Sequence, residues 1–145
     1  MAHVLLISGS LRKGSMNTAA IRTAQQLAPA GMATTICTAM ASLPCFNLDD
    51  DREDAILYRK PVARINVSGA AAPTGGADGH DSLRKVLGYM QANIVEPAST
   101  RVPLTRDAVA DDGTIADVAV RERIANMLST LVEELGRLAQ PRECL

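Results

Sequence analysis

A short apolar run, Val4-Leu5-Leu6-Ile7, passes into the loop Gly9-Ser10-Leu11-Arg12-Lys13-Gly14-Ser15-Met16-Asn17, after which Ala20, Ile21, Ala24, Leu27 and Ala28 recur at helical spacing. The run reads as a parallel strand buried on both faces. Pro29 and Gly31 close the helix. The β-branched segment Met32-Ala33-Thr34-Thr35-Ile36-Cys37-Thr38 follows at once. Strand, helix and strand in one crossover unit make the chain α/β. Between the first strand and the helix N-terminus, unpaired backbone N–H groups converge at the positive end of the helix dipole, which suits an anion. Ser10, Ser15, Asn17 and Thr18 add neutral donors, and Arg12 adds a guanidinium fork matched to phosphate. The same residues also suit a tight turn and a helix cap. Gly9 and Gly14 have the Walker A glycine spacing, but Ser15-Met16 stand where Lys and Ser or Thr are required, and no G-x-G-x-x-G occurs. Both absences argue against nucleoside triphosphate hydrolysis and a Rossmann dinucleotide fingerprint.

Beyond this unit the pattern loosens. Residues 39–60 carry no sustained period and include Leu43-Pro44-Cys45-Phe46-Asn47 and the acidic run Asp49-Asp50-Asp51-Arg52-Glu53-Asp54, read as a solvated loop. Val62, Arg64 and Asn66 alternate with Ala63, Ile65 and Val67, which gives a strand with one polar face. A loop over residues 68–79 leads to a helix for which Asp81 is the expected N-cap, with Leu83, Val86, Leu87 and Met90 on one face. Ile94-Val95 and the region of Val102 suit a last strand, held to an edge by Pro97 and Pro103. Asp111-Asp112-Gly113 is a turn signal. Asp117 then caps the clearest helix, whose stripe is Val120, Ile124, Met127, Leu128, Leu131, Leu135 and Leu138, with Pro141 ending it.

At 145 residues the chain is one domain's worth, 1–145. A net charge of -1 with one Phe and two Tyr leaves neither the electrostatic footprint nor the stacking surface that nucleic acid needs. No apolar run approaches the ~20 residues that span a bilayer, and Met1-Ala2-His3 lacks the basic start of a signal peptide, so no membrane partner and a cytoplasmic location are expected. Cys37, Cys45 and Cys144 are too widely spaced for a zinc site or a disulfide framework, and no metal is expected. His3 and His80 are too isolated to act together.

The G-S-x-R-x-x-S-x-N spacing of residues 9–17 resembles the phosphate loop of the NAD(P)H-dependent FMN reductase family. The similarity continues through Leu43-Pro44-x-Phe46-Asn47, resumes at Tyr58-x-Lys60-Pro61-Val62-Ala63, and runs from Ser82-Leu83-Arg84-x-Val86-Leu87-Gly88-Tyr89 almost to the C-terminus. The resemblance implies a flavodoxin-like three-layer sandwich with a parallel sheet. It also implies a reductase in which bound FMN takes hydride from NADPH or NADH and passes electrons to a small acceptor such as flavin or quinone, in a homo-oligomer. By resemblance Ser10, Arg12, Ser15, Met16, Asn17 and Thr18 hold the FMN phosphate. Ser68-Gly69 and Gly75-Gly76 match the place where backbone meets the flavin ring, which glycine permits by lacking a Cβ; a flexible surface loop fits them equally. The redox work belongs to the cofactor, so no catalytic side chain is assigned.

One part of the family pattern is missing. The Pro-Glu-Tyr-Asn-like turn and the Pro-Gly and Leu-Lys-Asn segments that hold the ring are absent, and none of the seven prolines is followed by Glu. Glu53-Asp54-Ala55-Ile56-Leu57-Tyr58 joins the flanking segments directly, so the sandwich is expected to be shortened near 54–58 by a central helix-strand-helix unit of about fifty residues. In the strand order 2-1-3-4-5 the cofactor lies between strands 1 and 3, so half the ring pocket is expected to go with that unit. The polar face bearing Arg64 is then expected to be uncovered or to meet a partner subunit, unless Arg64 snorkels from a strand end. The alternative function is a noncatalytic shortened paralogue that binds phosphate or FMN, or serves in assembly.

Overall fold

The computed structural model of the chain describes residues 1–42, 57–69, 72 and 74–140. The segments Leu43-Pro44-x-Phe46-Asn47 and Asp49 to Asp54, the junction at 54–56, Ala70, Ala71, Cys144 and Pro141 lie outside the described residues. In chain order the elements are β1 (Ala2–Leu6), α1 (Met16–Gln26), β2 (Met32–Ile36), β3 (Pro61–Val62), β4 (Ile65–Gly69), α2 (Ala77–Tyr89), β5 (Asn93–Ile94), β6 (Thr100–Leu104) and α3 (Val118–Ala139). All strand pairs are parallel, as the crossover pattern requires. Among the described residues they form three separate two-stranded ladders, β1 with β2, β3 with β5 and β4 with β6.

Local chemistry sets the helix ends. Ser15 adopts extended backbone angles and its hydroxyl accepts from the Asn17 N–H, so α1 starts where the sequence places it. Asp117 caps α3 as expected, its carboxylate accepting from the Val120 N–H. Asp111-Asp112-Gly113 makes the expected turn: Asp112 accepts from both the N–H and the hydroxyl of Thr114, and Gly113 takes φ 77°. The small side chains of Ala19, Ala20 and Ala24 let α1 approach the strands, and Ile124, Leu128 and Leu131 of α3 close the same core over Val102 and Leu104. Thr23, wholly buried, accepts from the Ile115 N–H and so ties α1 to the segment entering α3. β6 pairs only with β4 among the described residues, and Pro103 lies exposed on it, the edge position its missing N–H demands.

The strands have two unlike faces. Ile65, Val67, Val102 and Leu104 pack with α1 and α3, whereas Arg64 and Asn66 bond to α2 and its N-cap on the other side. Helices therefore lie on both sides of the strands, the three-layer arrangement expected.

Several expectations are corrected. β1 is not buried on both faces: Val4 and Leu6 enter the core, while Leu5 is 58% and Ile7 51% exposed, because no described element covers that side. The strand expected over residues 62–67 is broken at Ala63-Arg64, where the opposite chain inserts the 3-10 turn Glu96–Ala98 between β5 and β6. That turn carries the partner for Arg64, which is 3% exposed and ion-paired to Glu96, neither uncovered nor snorkelling. α2 begins four residues before Asp81, capped by Gly76 in the left-handed region, since the Gly75-Gly76 pair reverses the chain at no steric cost. Of the α2 stripe only Leu87 is buried. Leu138 is exposed because the last turn of α3 runs past the core.

Candidate functional site

The loop joining β1 to α1 is built around Ser8. Its hydroxyl bonds the Ser10 carbonyl, accepts from the Ser10 N–H at 3.3 Å and lies 3.1 Å from the Thr18 hydroxyl, closing the loop onto the first turn of α1. The Arg12 N–H donates to the Ser10 hydroxyl, and the Ser15 N–H returns to the Arg12 carbonyl. Gly14, at φ 67°, makes the reversal that a side chain would strain. The N–H groups of Leu11, Lys13 and Gly14 have no partner among the described residues. Arg12 and Lys13 stand exposed beside them, in no ion pair among the described residues. Such amides, a helix N-terminus and two cations around one turn are the donor types that suit a dianion.

The expected phosphate residues are thus brought together, with unequal duties. Ser15 is 3% exposed and its hydroxyl is committed to the cap. The Met16 side chain packs against the core, so it offers the loop only its backbone. Ser10, Arg12, Asn17 and Thr18 remain at or near the surface. Ser8 was not singled out from sequence, although a serine directly after an apolar run and two residues before a second serine is a signal for such a turn.

Ser68, Gly69, Gly75 and Gly76 form a second cluster, on a different ladder. Asn66 donates to the Gly76 carbonyl, and a Cβ on Gly76 would lie 2.6 Å from the Asn66 side-chain oxygen and 2.8 Å from the Ser68 Cβ. Gly76 is glycine because it rests directly on β4, a packing reason the sequence reading did not contain. The Ser68 hydroxyl is buried and without a partner among the described residues. Gly75 has open space around its Cβ position and lines a shallow cleft of about 480 Å³ with Ser99, Thr100, Arg101 and Pro103. The Asn66↔Arg101 register puts Arg101 on this polar face. No described hydrogen bond joins this cluster to the β1–α1 loop; the link is α1, which starts at the loop and packs against β4.

Below the second cluster lies the ionic group. Arg64 donates to the His80 carbonyl and to Glu96, and Glu96 also meets Arg84 at 3.4 Å. Burial, reinforced by the Arg64 charge, holds the His80 imidazole below its ordinary value. His80 therefore stays neutral at pH 7. No three His, Cys, Asp or Glu side chains among the described residues are placed to hold a metal ion, and Cys37 is a free thiol. No described helix is long and apolar enough to cross a membrane.

No protein-family model matches the sequence, and no curated protein is similar to it by sequence comparison. The structure is nonetheless similar to a solved one. FerB from Paracoccus denitrificans, a flavoenzyme NAD(P)H:(acceptor) oxidoreductase, superposes with a TM-score of 0.75 at 18% identity, over 94% of this chain and 98% of that chain. At that identity the likeness defines the fold: a shortened flavodoxin-like α/β arrangement.

Proposed function

We propose that the chain is an NAD(P)H-dependent FMN reductase-like flavoprotein, with its FMN phosphate on the β1–α1 loop. The observation that carries this reading is the set of N–H groups at Leu11, Lys13 and Gly14 that have no partner among the described residues, beside an exposed Arg12 at the mouth of a capped helix. That donor set fits a phosphomonoester dianion. FMN, when bound, supplies the redox chemistry, taking hydride from NADPH or NADH for delivery to a flavin or quinone. The protein's own part is to bind and orient. Arg12 and Ser10 grip the phosphate, Thr18 and Ser8 hold the loop closed, and Gly69 and Gly75 leave backbone open to an approaching ring. The FerB likeness supports this reading, since that protein is a flavoenzyme oxidoreductase on the same fold.

A second reading, a noncatalytic binder that keeps the phosphate seat alone, is favoured by one observation. β1 and β4 share no ladder, so no described strand bridges the loop and the Ser68 cluster. Titration with FMN, followed by addition of NADPH, separates the two. A yellow complex that bleaches with NADPH supports the reductase; a colourless protein that takes up no FMN overturns the reductase and leaves the noncatalytic reading.

A further inference from the structure

Two arginines near the strands have opposite fates. Arg64 is buried, bonded to the His80 carbonyl and paired with Glu96. Arg101, beside Asn66 on the polar face, stands exposed and makes no ion pair among the described residues. It lines the cleft of about 480 Å³ with Gly75, Ser99, Thr100 and Pro103, a volume suited to a small molecule. The main chain adds a second donor at the same residue. The Thr100 N–H donates to the Arg64 carbonyl, and successive N–H groups of a strand point to opposite sides, so the Arg101 N–H points away from β4. No described strand lies on that side of β6. The next N–H facing the same way would belong to residue 103, a proline, which has none. The other polar side chains of the lining are engaged elsewhere. The Ser99 hydroxyl accepts from the Arg64 N–H and bonds the Val95 carbonyl, while Thr100 alternates onto the opposite face with Val102 and Leu104.

We propose that this cleft binds the carboxylate of a small organic acid, gripped by the guanidinium and the main-chain N–H of Arg101. The planar fork of a guanidinium matches the two oxygens of a carboxylate. Charge selects the class. The lining holds one cation and no acid, which balances a monoanion, whereas the β1–α1 loop with Arg12 and Lys13 suits a dianion. The acids of α2 do not oppose this: Asp78 and Asp81 project about 180° and about 120° around the helix axis from the buried Leu87, away from the strands. Glu96 is engaged by Arg64 and Arg84. Gly75 and Pro103 leave an uncharged surface for the body of the acid. Pro103 also decides against an extended peptide as the occupant. A strand added to β6 needs successive edge donors, and the proline interrupts them after one.

Benzoate is the probe, titrated into the full chain at fixed ionic strength and followed by amide NMR. The Gly75, Thr100 and Arg101 amides are expected to shift with a dissociation constant on the order of 1 mM, and benzamide, the uncharged isostere, to shift none of them up to about 20 mM. Arg101→Gln, at an exposed position, is expected to weaken benzoate at least about 10-fold with unchanged thermal melting. Arg12→Ala is expected to leave benzoate binding unchanged, which separates the cleft from the β1–α1 loop. Amides that benzoate does not move, equal binding of benzamide, or an affinity indifferent to Arg101→Gln would overturn the proposal. So would tighter binding at these amides by inorganic phosphate or by an extended acidic peptide. FMN uptake, read separately, neither supports nor opposes it.

Discussion

Gly75 and Gly76 are neighbours, both in the left-handed region, yet the structure assigns them different costs on replacement by alanine. At Gly75, with φ 55° and open space at the Cβ position, the penalty is conformational, about 1 kcal/mol. Gly76, at φ 77°, carries the same backbone penalty and adds a collision, because its Cβ would meet the Asn66 oxygen at 2.6 Å and the Ser68 Cβ at 2.8 Å. The Ser68 contact comes from a strand and has little room to yield. Overpacking of this kind costs about 1–3 kcal/mol, and relief by lifting the α2 N-terminus forfeits the Asn66 bond to the Gly76 carbonyl, about 1 kcal/mol more. Gly76→Ala is therefore expected to lose about 4 kcal/mol and Gly75→Ala about 1. Urea unfolding measures both: with a slope of about 2 kcal/mol per molar, the midpoints fall by about 2 M and about 0.5 M. Equal losses in the two variants would refute the argument, since they would mean that Gly76 does not rest on β4.

Three further predictions follow from other parts of the molecule. Arg12→Ala is expected to weaken FMN binding about 10- to 100-fold, the worth of a charge-assisted bond, with no change in thermal stability; a fluorescence titration checks it. Glu96→Gln leaves the Arg64 guanidinium buried without its anion, and the loss is expected to be about 2 kcal/mol in urea unfolding, held down because Glu96 itself is half exposed. His80 binds a proton less readily folded than unfolded, so stability is intact above its ordinary value of 6.5 and is lost as pH falls from there through the lower folded value. His80→Gln, which keeps the main-chain carbonyl that Arg64 uses, is expected to flatten that slope, as seen in unfolding curves between about pH 7 and pH 5.

Elements whose signals are local were legible in the sequence. Asp117 caps the helix it was expected to cap, and Ser15, expected on the phosphate with a cap as the competing reading, takes the cap, because a cap is a contract between residues two or three apart. The stripe from Val120 to Leu131 is buried as read, and Pro103 marks an edge. The loop between β1 and α1 is likewise local: it turns at Gly14 and ends at the Ser15 cap, between the strand and the helix that the residue pattern put on either side of it. What escaped depends on partners distant in the chain. Arg64 looked like a residue on an exposed polar face, yet it is buried, bonded to the His80 carbonyl and paired with Glu96, thirty-two positions away. Asp81 looked like a cap because capping residues are recognised by type, whereas Gly76 caps through its backbone, and its need for glycine comes from Asn66 and Ser68 beneath it. Leu5 and Ile7 read as a strand covered on both sides, since apolar runs do not record whether a cover is present. The packing of Gly76 on Ser68 and the placement of Arg101 beside Asn66 were invisible for the same reason: they depend on how β4 meets α2 and β6, not on residue order.

The three ladders, unconnected among the described residues, bear on how the molecule moves. In a continuous sheet, main-chain bonds transmit a push on one strand to its neighbours with almost no give. Here the β1–α1 loop rides on the β1–β2 ladder while the Ser68 cluster rides on β4 and β6, and among the described residues α1 is the lashing between two rafts. Side-chain packing yields more readily than a hydrogen-bonded ladder, so the distance between loop and cluster is expected to vary more than distances within either ladder. Its natural observable is amide exchange, in which β1 with β2 and β4 with β6 open as separate units.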